Sequence, residues 1–191
     1  MRGTLSPASS PRASTFPRIL TPVSSRHMPT PVIRPAVPSD AAAISAIYNH
    51  SVQFSTATYQ EQPESVHDRL AWLAAHGPAH PVLVAEIDGT LAGWASLSPF
   101  HPRSAFRHTV ESSVYINENF HRRGLARLLM TQLLDQARTL GHHVVLAIIS
   151  ADQDASRQLH HTLGFQQAGH LHEVGRKFDR WLDLVTMEFR L

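Results

Sequence analysis

Apolar positions recur at helix or strand spacing from Pro31 onward, and this spacing predicts the secondary structure. Apolar residues at positions 125, 128, 129, 133 and 137 share one face of a helix predicted over Gly124–Leu140, which Gly141 ends. The apolar run Val144–Ile149 is typical of a strand covered on both faces of a sheet. The other predicted strands are Val32–Arg34, Pro81–Ile87, Leu91–Leu97, Val110–Ile116, Gln166–Val174 and Trp181–Phe189, and the other predicted helices are Ala41–His50, Glu64–Ala75 and Ala155–Leu163.

These elements follow one another in the order β-α-α-β-β-β-α-β-α-β-β, without an internal repeat. This alternation predicts one α/β domain over residues 31–191, with a sheet of mixed strand direction. Asp88-Gly89 predicts a hairpin turn between two of the strands. Ser39 is predicted to cap the first helix, because its hydroxyl can accept a hydrogen bond from a free N–H of the first turn.

Residues 1–30 are rich in serine, proline, threonine and arginine, and the first acidic residue of the chain is Asp40. Such a segment buries too little apolar surface to fold, so we expect a disordered extension. It lacks the apolar stretch of a secretory signal, while its arginine and serine content leaves an organelle-targeting segment open. The alternative is an inert extension or a start-site artefact, with synthesis beginning at Met28.

The composition narrows the possible partners. Apolar residues make up 42% of the 191 residues, which suffices for a core without disulfides or metals. The absence of cysteine excludes a thiolate nucleophile and agrees with a cytoplasmic location.

The formal charge of +2 includes four arginines in residues 1–27, where there is no acid, so residues 28–191 carry −2. We therefore expect no nucleic acid partner for the domain, with RNA binding by the basic extension as the alternative. No membrane association is expected, since no apolar run approaches the roughly 20 residues of a membrane helix.

Histidine is frequent, with 14 residues and close pairs at His142-His143, His160-His161 and His170/His172. A zinc site needs three or four converging ligands, whereas neighbouring histidines on a helix point apart. We therefore expect no metal site. A serine hydrolase is not expected either, because the chain has no Gly-x-Ser-x-Gly segment.

The segment Asn117–Ala126 connects the strand predicted over Val110–Ile116 to the helix predicted from Gly124. The first N–H groups of a helix lack intrahelical acceptors, and the helix dipole adds positive charge there, so this arrangement suits phosphate. Gly124 permits close approach of the backbone, and Arg122 and Arg123 add charge. The glycine patterns of dinucleotide-binding folds and P-loops are absent. Taken alone, the segment is equally consistent with a surface loop that carries two arginines.

The segment His121-Arg122-Arg123-Gly124-Leu125-Ala126 resembles the [Gln/Arg/His]-x-x-Gly-x-[Gly/Ala] acetyl-CoA site of the GNAT superfamily of N-acetyltransferases. Further segments over about residues 31–191 resemble its phosphinothricin/methionine sulfoximine N-acetyltransferase family, in that family's order. They are Ser55–Thr58, Arg107–Ile116, Leu159-His160 with Leu163-Gly164-Phe165, and Val174–Asp183. The resemblance implies the GNAT fold, a mixed and mostly antiparallel sheet that is flanked by helices and splayed between its two central parallel strands.

The resemblance also implies acetyl-CoA as co-substrate. The residues that match the family's cofactor site are Val114, Tyr115 and Ile116 for the pantetheine arm, Arg122, Arg123, Gly124, Leu125, Ala126 and Arg127 for the pyrophosphate, and Gln153 and Ser156 after the next strand. Gln153 stands where the family has an asparagine, so it retains the amide on a longer side chain.

For the chemistry, the resemblance implies Glu111 as the general base. A carboxylate beside a thioester pocket is partly desolvated, which raises its pKa toward a useful range; the alternative is an ordinary strand carboxylate. His160 stands where many superfamily members have a tyrosine that protonates the leaving thiolate, so it is expected to act as general acid or to contact the cofactor. The alternative is a helix-surface histidine. Backbone N–H groups of a bulged strand are expected to polarise the thioester carbonyl.

For the acceptor, the resemblance implies basic side chains before Glu111 that hold a carboxylate, and Arg103 and Arg107 fall in that stretch. His101 replaces an expected arginine or lysine, and an imidazole is a weaker partner than a guanidinium fork. The residues that match the pocket walls are Phe106, Phe54 and Thr56, and those that match a C-terminal segment lining the site or a dimer contact are Lys177, Phe178 and Trp181.

Together these features predict transfer of acetyl, by direct attack, to the amino group of a small amino-acid-like acceptor of the phosphinothricin or methionine sulfoximine type. The absence of cysteine agrees with a reaction that has no acetyl-enzyme intermediate. The alternatives are acetylation of protein N-termini or of another small amine, and a non-catalytic acetyl-CoA-binding module. The resemblance further implies a homodimer.

Overall fold

The computed structural model describes Gly3 and residues 30–191, so the extension that we expect to be disordered lies almost wholly outside the described residues. The strands are β1 (Val32–Pro35), β2 (Val82–Ile87), β3 (Thr90–Pro99), β4 (Thr109–Ile116), β5 (Val144–Ser150), β6 (Gln166–Lys177) and β7 (Arg180–Arg190), and the helices are α1 (Ala41–Phe54), α2 (Val66–Ala75), α3 (Leu125–Thr139) and α4 (Asp154–Thr162). Their order confirms the predicted order. In the described part of the chain, no helix combines the length and apolar character that crossing a membrane requires.

The start of α1 differs from the prediction. A 3₁₀ turn, Pro38–Asp40, precedes the helix, and the Asp40 carboxylate accepts a hydrogen bond of 2.8 Å from the Val37 N–H. Arg34 holds the same carboxylate at 2.7 Å. The prediction of Ser39 as the cap is wrong, because the acidic neighbour supplies the acceptor at this turn.

The three other helices, α2, α3 and α4, begin and end within two residues of their predicted bounds. Ser65 caps α2, since its hydroxyl accepts from the Asp68 N–H while the Asp68 carboxylate accepts from the Ser65 N–H, the reciprocal arrangement of a capping box. The Asp88-Gly89 turn has positive φ at both residues, of 49° and 76°, as a two-residue hairpin requires.

The sheet has the strand order β1-β2-β3-β4-β5-β7-β6, and β4 with β5 is its one parallel pair in the described chain. The pairing of β4 with β5 runs from Thr109↔Val144 to Ser112↔Ala147 and then stops. Both strands continue, to Ile116 and Ser150 respectively, so their ends diverge. This divergence confirms the expected splay between the central parallel strands.

Helices cover both faces of the sheet. Leu129, Met130 and Leu133 of α3 pack with Val110 and Val145 in the larger core. On the other face, α1 and α2 pack around Trp94 of β3. Side chains alternate along a strand, so Glu111, directly opposite Ser98 of β3, lies on the face that α1 and α2 cover.

Candidate active site

The diverging ends of β4 and β5 open into a cleft of about 620 Å³, which falls within the range of small-molecule sites. Both strands line it, together with the end of α1, the start of α3 and one side of α4. The lining residues are His50, Ser51, Phe54, Ser55, Ala57, Ser112–Ile116, Phe120–Arg122, Gly124–Arg127, Ala147–Ser150, Gln153, Ala155, Ser156, Leu159 and His160.

One edge of β4 is free along this cleft. The Asn117 N–H donates to the Ala92 carbonyl of β3 at 2.9 Å, so alternation turns the backbone groups of Val114 and Ile116 away from β3 and toward the gap. In the gap the Ile116 carbonyl accepts a hydrogen bond from His121 Nε2 at 3.0 Å. The Val114 N–H and carbonyl and the Ile116 N–H also face the gap, so an extended ligand can pair with them as an additional strand would.

The ladder between β3 and β4 is continuous from Gly93↔Ile116 to Pro99↔Val110. The expectation of a bulged β4 is therefore wrong, and the free N–H groups arise from the divergence of β5. Tyr115 points to the opposite face, where its ring stacks on Trp94 at 4.8 Å and its hydroxyl donates to the Ala57 carbonyl at 3.3 Å. Burial raises the pKa of the Tyr115 hydroxyl, so it stays protonated.

The loop before α3 leaves the first N–H groups of the helix without a side-chain cap. Arg122 and Gly124 both have left-handed φ, of 60° and 76°, which brings the chain sharply into the helix. The first intrahelical bond runs from the Leu128 N–H to the Gly124 carbonyl at 3.1 Å, and no side chain caps this end. The N–H groups of residues 125–127 therefore remain for a ligand, as at other phosphate-binding helix starts.

The two arginines of this loop, Arg122 and Arg123, and Arg127 in the first turn of α3 are not equivalent. Arg122 and Arg127 line the cleft. The Arg123 guanidinium donates to the Asn119 carbonyl at 3.1 Å and lies 5.0 Å from the Phe120 ring centroid. Arg123 therefore stabilises the loop from outside the cleft, and its contact with the cofactor stays a prediction.

Gln153 lines the cleft from the start of α4. Its Nε2 donates to Thr56 Oγ1 at 2.7 Å, and the Thr56 hydroxyl donates to Asp152 Oδ1 at 2.7 Å. Thr56 is buried behind Gln153 and fixes the direction of its amide, which leaves the amide oxygen for a ligand. Ser156 lies on the cleft side of the first turn of α4.

His160 lies in the same wall and is only 3% exposed. Its Nδ1 is 2.8 Å from the Ser156 carbonyl oxygen. A carbonyl oxygen only accepts, so Nδ1 carries the proton and Nε2 is an acceptor when the ring is neutral. Burial lowers the pKa of His160, which favours this neutral form.

Glu111 lies on β4 immediately before Ser112, the last residue paired with β5, and beside the cleft rather than in its lining. Its side chain is half-buried, and burial raises the pKa of its carboxyl. Among the described residues no hydrogen bond or ion pair engages this carboxylate, so desolvation alone sets its basicity.

The residues expected to hold the acceptor lie in the connection between β3 and β4, outside the cleft. His101 Nδ1 accepts from the Arg103 N–H at 3.1 Å, and its ring centroid lies 4.9 Å from that of Phe106. The Arg107 guanidinium donates to the Ser104 carbonyl at 3.4 Å. All of these contacts join residues within the connection itself. The role of the connection in binding an acceptor stays a prediction.

On the opposite side of the cleft, Phe54 is 71% exposed and lines the cleft at the end of α1. Lys177 is 3% exposed, and its ammonium donates to the Ser55 and Thr58 carbonyls, each at 2.8 Å. Burial lowers the pKa of Lys177. The structure therefore gives Lys177 a structural task, holding the segment over residues 55–58, and its substrate contact stays a prediction.

Sequence reasoning missed Arg69, which is 3% exposed within the α1 and α2 layer. Its guanidinium carbon lies 4.8 Å from the Tyr48, 4.2 Å from the Trp72 and 5.1 Å from the Trp94 ring centroid, and it pairs with Glu64. Arg69 lies one turn before Trp72 on the apolar side of α2, and this position in the sequence could have indicated its burial. Cleft residues such as Ile148 and Ser150 were missed because a strand pattern does not show where its neighbour diverges.

The chain is similar to known acetyltransferases in sequence. Residues 44–165 match the acetyltransferase (GNAT) family model. The chain is 42% identical over 160 residues to the L-amino acid N-acyltransferase MnaT of Escherichia coli, covering 83% of this chain and 93% of the relative. It is also 42% identical over 160 residues to the L-methionine sulfoximine/L-methionine sulfone acetyltransferase of Salmonella typhimurium, covering 83% and 94%.

The fold is shared as well. A GNAT phosphinothricin acetyltransferase from Sinorhizobium meliloti, crystallised with acetyl-CoA, superposes with a TM-score of 0.82 at 33% identity, over 85% of this chain and 89% of that one. These findings agree with the splayed sheet and with the loop before α3, and they confirm the resemblance that the sequence indicates. The chain belongs to the GNAT family of N-acetyltransferases.

Proposed function

We propose that this protein transfers acetyl from acetyl-CoA to the amino group of a small amino-acid-like acceptor, of the methionine sulfoximine or phosphinothricin type. The observation that carries the proposal is the cleft between β4 and β5, which joins a free strand edge to an uncapped helix start. The names of the relatives at 42% identity and of the structural neighbour support the acceptor class.

The cleft suits the two polar parts of acetyl-CoA. The N–H and carbonyl of Val114 and the N–H of Ile116, which face the gap, match an amide-bearing pantetheine arm, which is extended and both donates and accepts. The pyrophosphate carries negative charge, for which the N–H groups at the start of α3, Arg122 and Arg127 are complementary. Gln153 and Ser156 contribute an amide oxygen and a hydroxyl from the facing wall.

For the chemical step, the acceptor ammonium first loses a proton to Glu111, directly or through a water molecule. The free amine attacks the thioester carbonyl carbon, a C–N bond forms, the C–S bond breaks, and the thiolate of CoA leaves. The nitrogen, which is cationic after the attack, loses one proton, and this proton neutralises the thiolate. Glu111 suits the first transfer, because burial raises its pKa and no partner in the described chain competes for its carboxylate.

Of the two roles expected for His160, we favour a contact with the cofactor over general acid catalysis. As a general acid it would need a proton on Nε2, but the bond to Ser156 keeps the proton of the neutral ring on Nδ1. The lowered pKa makes the doubly protonated ring scarce at neutral pH. We therefore assign Nε2 as an acceptor toward an N–H, O–H or S–H group of the cofactor.

The acceptor is expected on the Glu111 side of the thioester. There His101, Arg103 and Arg107 can attract a carboxylate and Phe106 offers apolar contact, while Phe54 offers apolar contact from the opposite side of the cleft. A thiol-release assay with acetyl-CoA tests this assignment over a panel containing methionine sulfoximine, phosphinothricin, a peptide N-terminus and a polyamine. Turnover of the first two supports it. Turnover of only the peptide or the polyamine would refute the acceptor class but not the transferase activity.

We also propose that the protein forms a homodimer in the cytoplasm. Support comes from the exposed apolar residues of the β6–β7 hairpin, Val174, Phe178 and Trp181, which are 51% to 61% exposed in the single chain. The absence of cysteine is compatible with the reducing cytoplasm. Sedimentation velocity tests the dimer, and a dominant monomer at micromolar concentration would contradict it. Imaging of a fluorescent fusion tests the location.

A further inference from the structure

Three titratable side chains converge outside the cleft, on the β6–β7 hairpin. His170 Nε2 lies 2.9 Å and His172 Nδ1 lies 3.0 Å from the same oxygen, Asp183 Oδ2. One ligand atom from each residue lies within 4.8 Å of the others. Residues two apart on a strand share a face, unlike neighbours on a helix, so the two imidazoles can face one point. All three residues are partly exposed, so an ion can reach them.

A strained bulge produces this convergence. The pairing of β6 with β7 shifts between Leu171↔Leu184 and Gly175↔Leu182, which leaves residues 172–174 opposite Asp183. Within the bulge Glu173 has a left-handed φ of 53°, which is unfavourable for a residue with a side chain. Strain of this kind is retained where surrounding contacts impose it, often at functional sites.

The same bulge orients the carboxylate. The Glu173 N–H donates to Asp183 Oδ1 at 2.9 Å, while Oδ2 faces both imidazoles. The two oxygens are thereby given different tasks. Metal-binding carboxylates are commonly held in this way by a hydrogen bond to the oxygen that does not bind the ion.

We propose that His170, His172 and Asp183 bind a Zn²⁺ ion. Two imidazoles and one carboxylate are a donor set that zinc accepts at about 2.0–2.2 Å, with water completing the coordination. Ligand atoms around such an ion are roughly 3.4 Å apart in tetrahedral geometry. Small movements of the two rings away from Asp183 Oδ2 provide that spacing. Magnesium and calcium prefer all-oxygen sites, so this set discriminates against them.

The site would act on the architecture of the cleft rather than on the reacting atoms. The backbone carbonyl of Asp183 accepts from the Tyr59 hydroxyl at 2.8 Å and from the Ala151 N–H at 2.9 Å. The Tyr59 hydroxyl oxygen also lies 3.2 Å from Oγ of Ser150, a residue that lines the cleft. An ion that fixes Asp183 to β6 therefore stabilises the hairpin that supports one wall of the cleft, independently of the acetyl transfer.

The test uses the full chain without a polyhistidine tag, stripped with a chelator and titrated with zinc chloride alone. Equilibrium dialysis with metal analysis measures stoichiometry and affinity, and thermal unfolding measures Tm. We expect one high-affinity zinc per chain and a rise in Tm. Replacing both His170 and His172 by alanine should lower the affinity by at least ~10-fold and abolish the rise in Tm. The matched control replaces the exposed His67 and His161 by alanine and should bind zinc like the wild type.

Two further variants keep the result decisive if the double variant misfolds. His172→Ala removes a ligand whose side chain is 74% exposed, so it should fold. Asp183→Asn retains the acceptor for the Glu173 N–H and weakens ligation, so it should also bind zinc more weakly. The proposal is overturned if the wild-type protein binds no zinc, if these variants bind it as tightly as the wild type, or if excess Mg²⁺ displaces it.

Discussion

His160 donates a hydrogen bond from Nδ1 to the carbonyl oxygen of Ser156, 2.8 Å away and one turn earlier in α4. This bond keeps the proton of the neutral imidazole on Nδ1 and turns Nε2 into an acceptor. Burial lowers the pKa of the ring, so the wall of the cleft offers a neutral acceptor at physiological pH rather than a cation. The lowered pKa has a measurable consequence for the pH dependence of stability.

The first prediction concerns stability. In the unfolded chain His160 takes up a proton near pH 6.5, whereas in the folded chain it does so only at lower pH. Below pH 6.5 the unfolded state therefore binds more protons, and the free energy of unfolding falls as the pH falls. We expect urea unfolding to show a smaller loss between pH 7.5 and 5.5 for His160→Gln than for the wild type. His161→Gln, at an exposed neighbour, should retain the wild-type dependence, and equal dependence in all three proteins would contradict the argument.

The second prediction concerns Glu111. Its raised pKa means that the rate should increase with pH as the carboxyl loses its proton and becomes able to act as a base. Glu111→Gln should lower kcat by about 10²- to 10⁴-fold, the usual contribution of a general base, and should remove this rise. Acetyl-CoA affinity, measured by calorimetry, should be unchanged. Glu188→Gln on β7 is the control, and a comparable loss of acetyl-CoA binding in Glu111→Gln would make Glu111 a structural residue.

Glu111→Gln also has an expected effect on folding. A carboxyl whose pKa is raised in the folded state is disfavoured there once it ionises, so charged Glu111 reduces stability at neutral pH. The neutral amide removes this cost. The variant should be at least as stable as the wild type at pH 7.5 in thermal unfolding, and a lower Tm would show that the carboxylate makes a stabilising contact.

The third prediction separates the arginines of the loop before α3. Arg122 lines the cleft at a left-handed φ that glycine adopts without strain, so Arg122→Gly removes the charge without disturbing the backbone. We expect the Kd for acetyl-CoA to rise about 5- to 10-fold, and more at low salt. Arg123→Ala should change Kd less, because that guanidinium binds Asn119 outside the cleft. Calorimetry at two salt concentrations decides, and equal effects would mean that both side chains reach the cofactor.

The fourth prediction concerns Lys177. Replacing it by methionine keeps the apolar stem but leaves the Ser55 and Thr58 carbonyls without their donor. We expect the free energy of unfolding to fall by about 2–4 kcal/mol in urea titrations. Lys177→Arg, which retains a charged donor, should recover part of the loss. Unchanged stability together with a raised KM for the acceptor would instead indicate that Lys177 serves mainly the substrate.

The fifth prediction concerns His101. A guanidinium at this position can form two parallel hydrogen bonds with a carboxylate, which an imidazole cannot. His101→Arg should therefore lower the KM for methionine sulfoximine, with little change for the same amine lacking its carboxylate. Steady-state thiol release with both acceptors measures the difference, and an equal change for both would place residue 101 away from the acceptor carboxylate.

The features that could be predicted from the sequence were mainly local. Asp88-Gly89 and the apolar stripe of α3 specify a turn and a helix through neighbouring residues alone, and both are observed. The family motifs indicated the splay of the sheet, and the end of the β4–β5 pairing after Ser112↔Ala147 confirms it.

Other features depend on contacts between distant parts of the chain. The sequence alone does not distinguish Arg122 from Arg123, because one left-handed residue decides which side chain enters the cleft. The convergence of His170 and His172 on Asp183 likewise depends on a bulge, which no residue type or spacing in the sequence predicts. The start of α1 was mispredicted because Asp40 and Ser39 are both good acceptors, and only the position of Arg34 selects between them.

Three hydrogen bonds join the segment over residues 55–59 to the end of β6 and to β7. Its bonds to Lys177 and to the Asp183 carbonyl span 119 to 124 positions of sequence. Contacts of such long range form late, since most of the chain must be ordered before they repay their entropy. During synthesis this wall of the cleft can therefore be completed only after the last two strands have emerged from the ribosome, and a nascent chain arrested before Lys177 should lack these anchoring bonds.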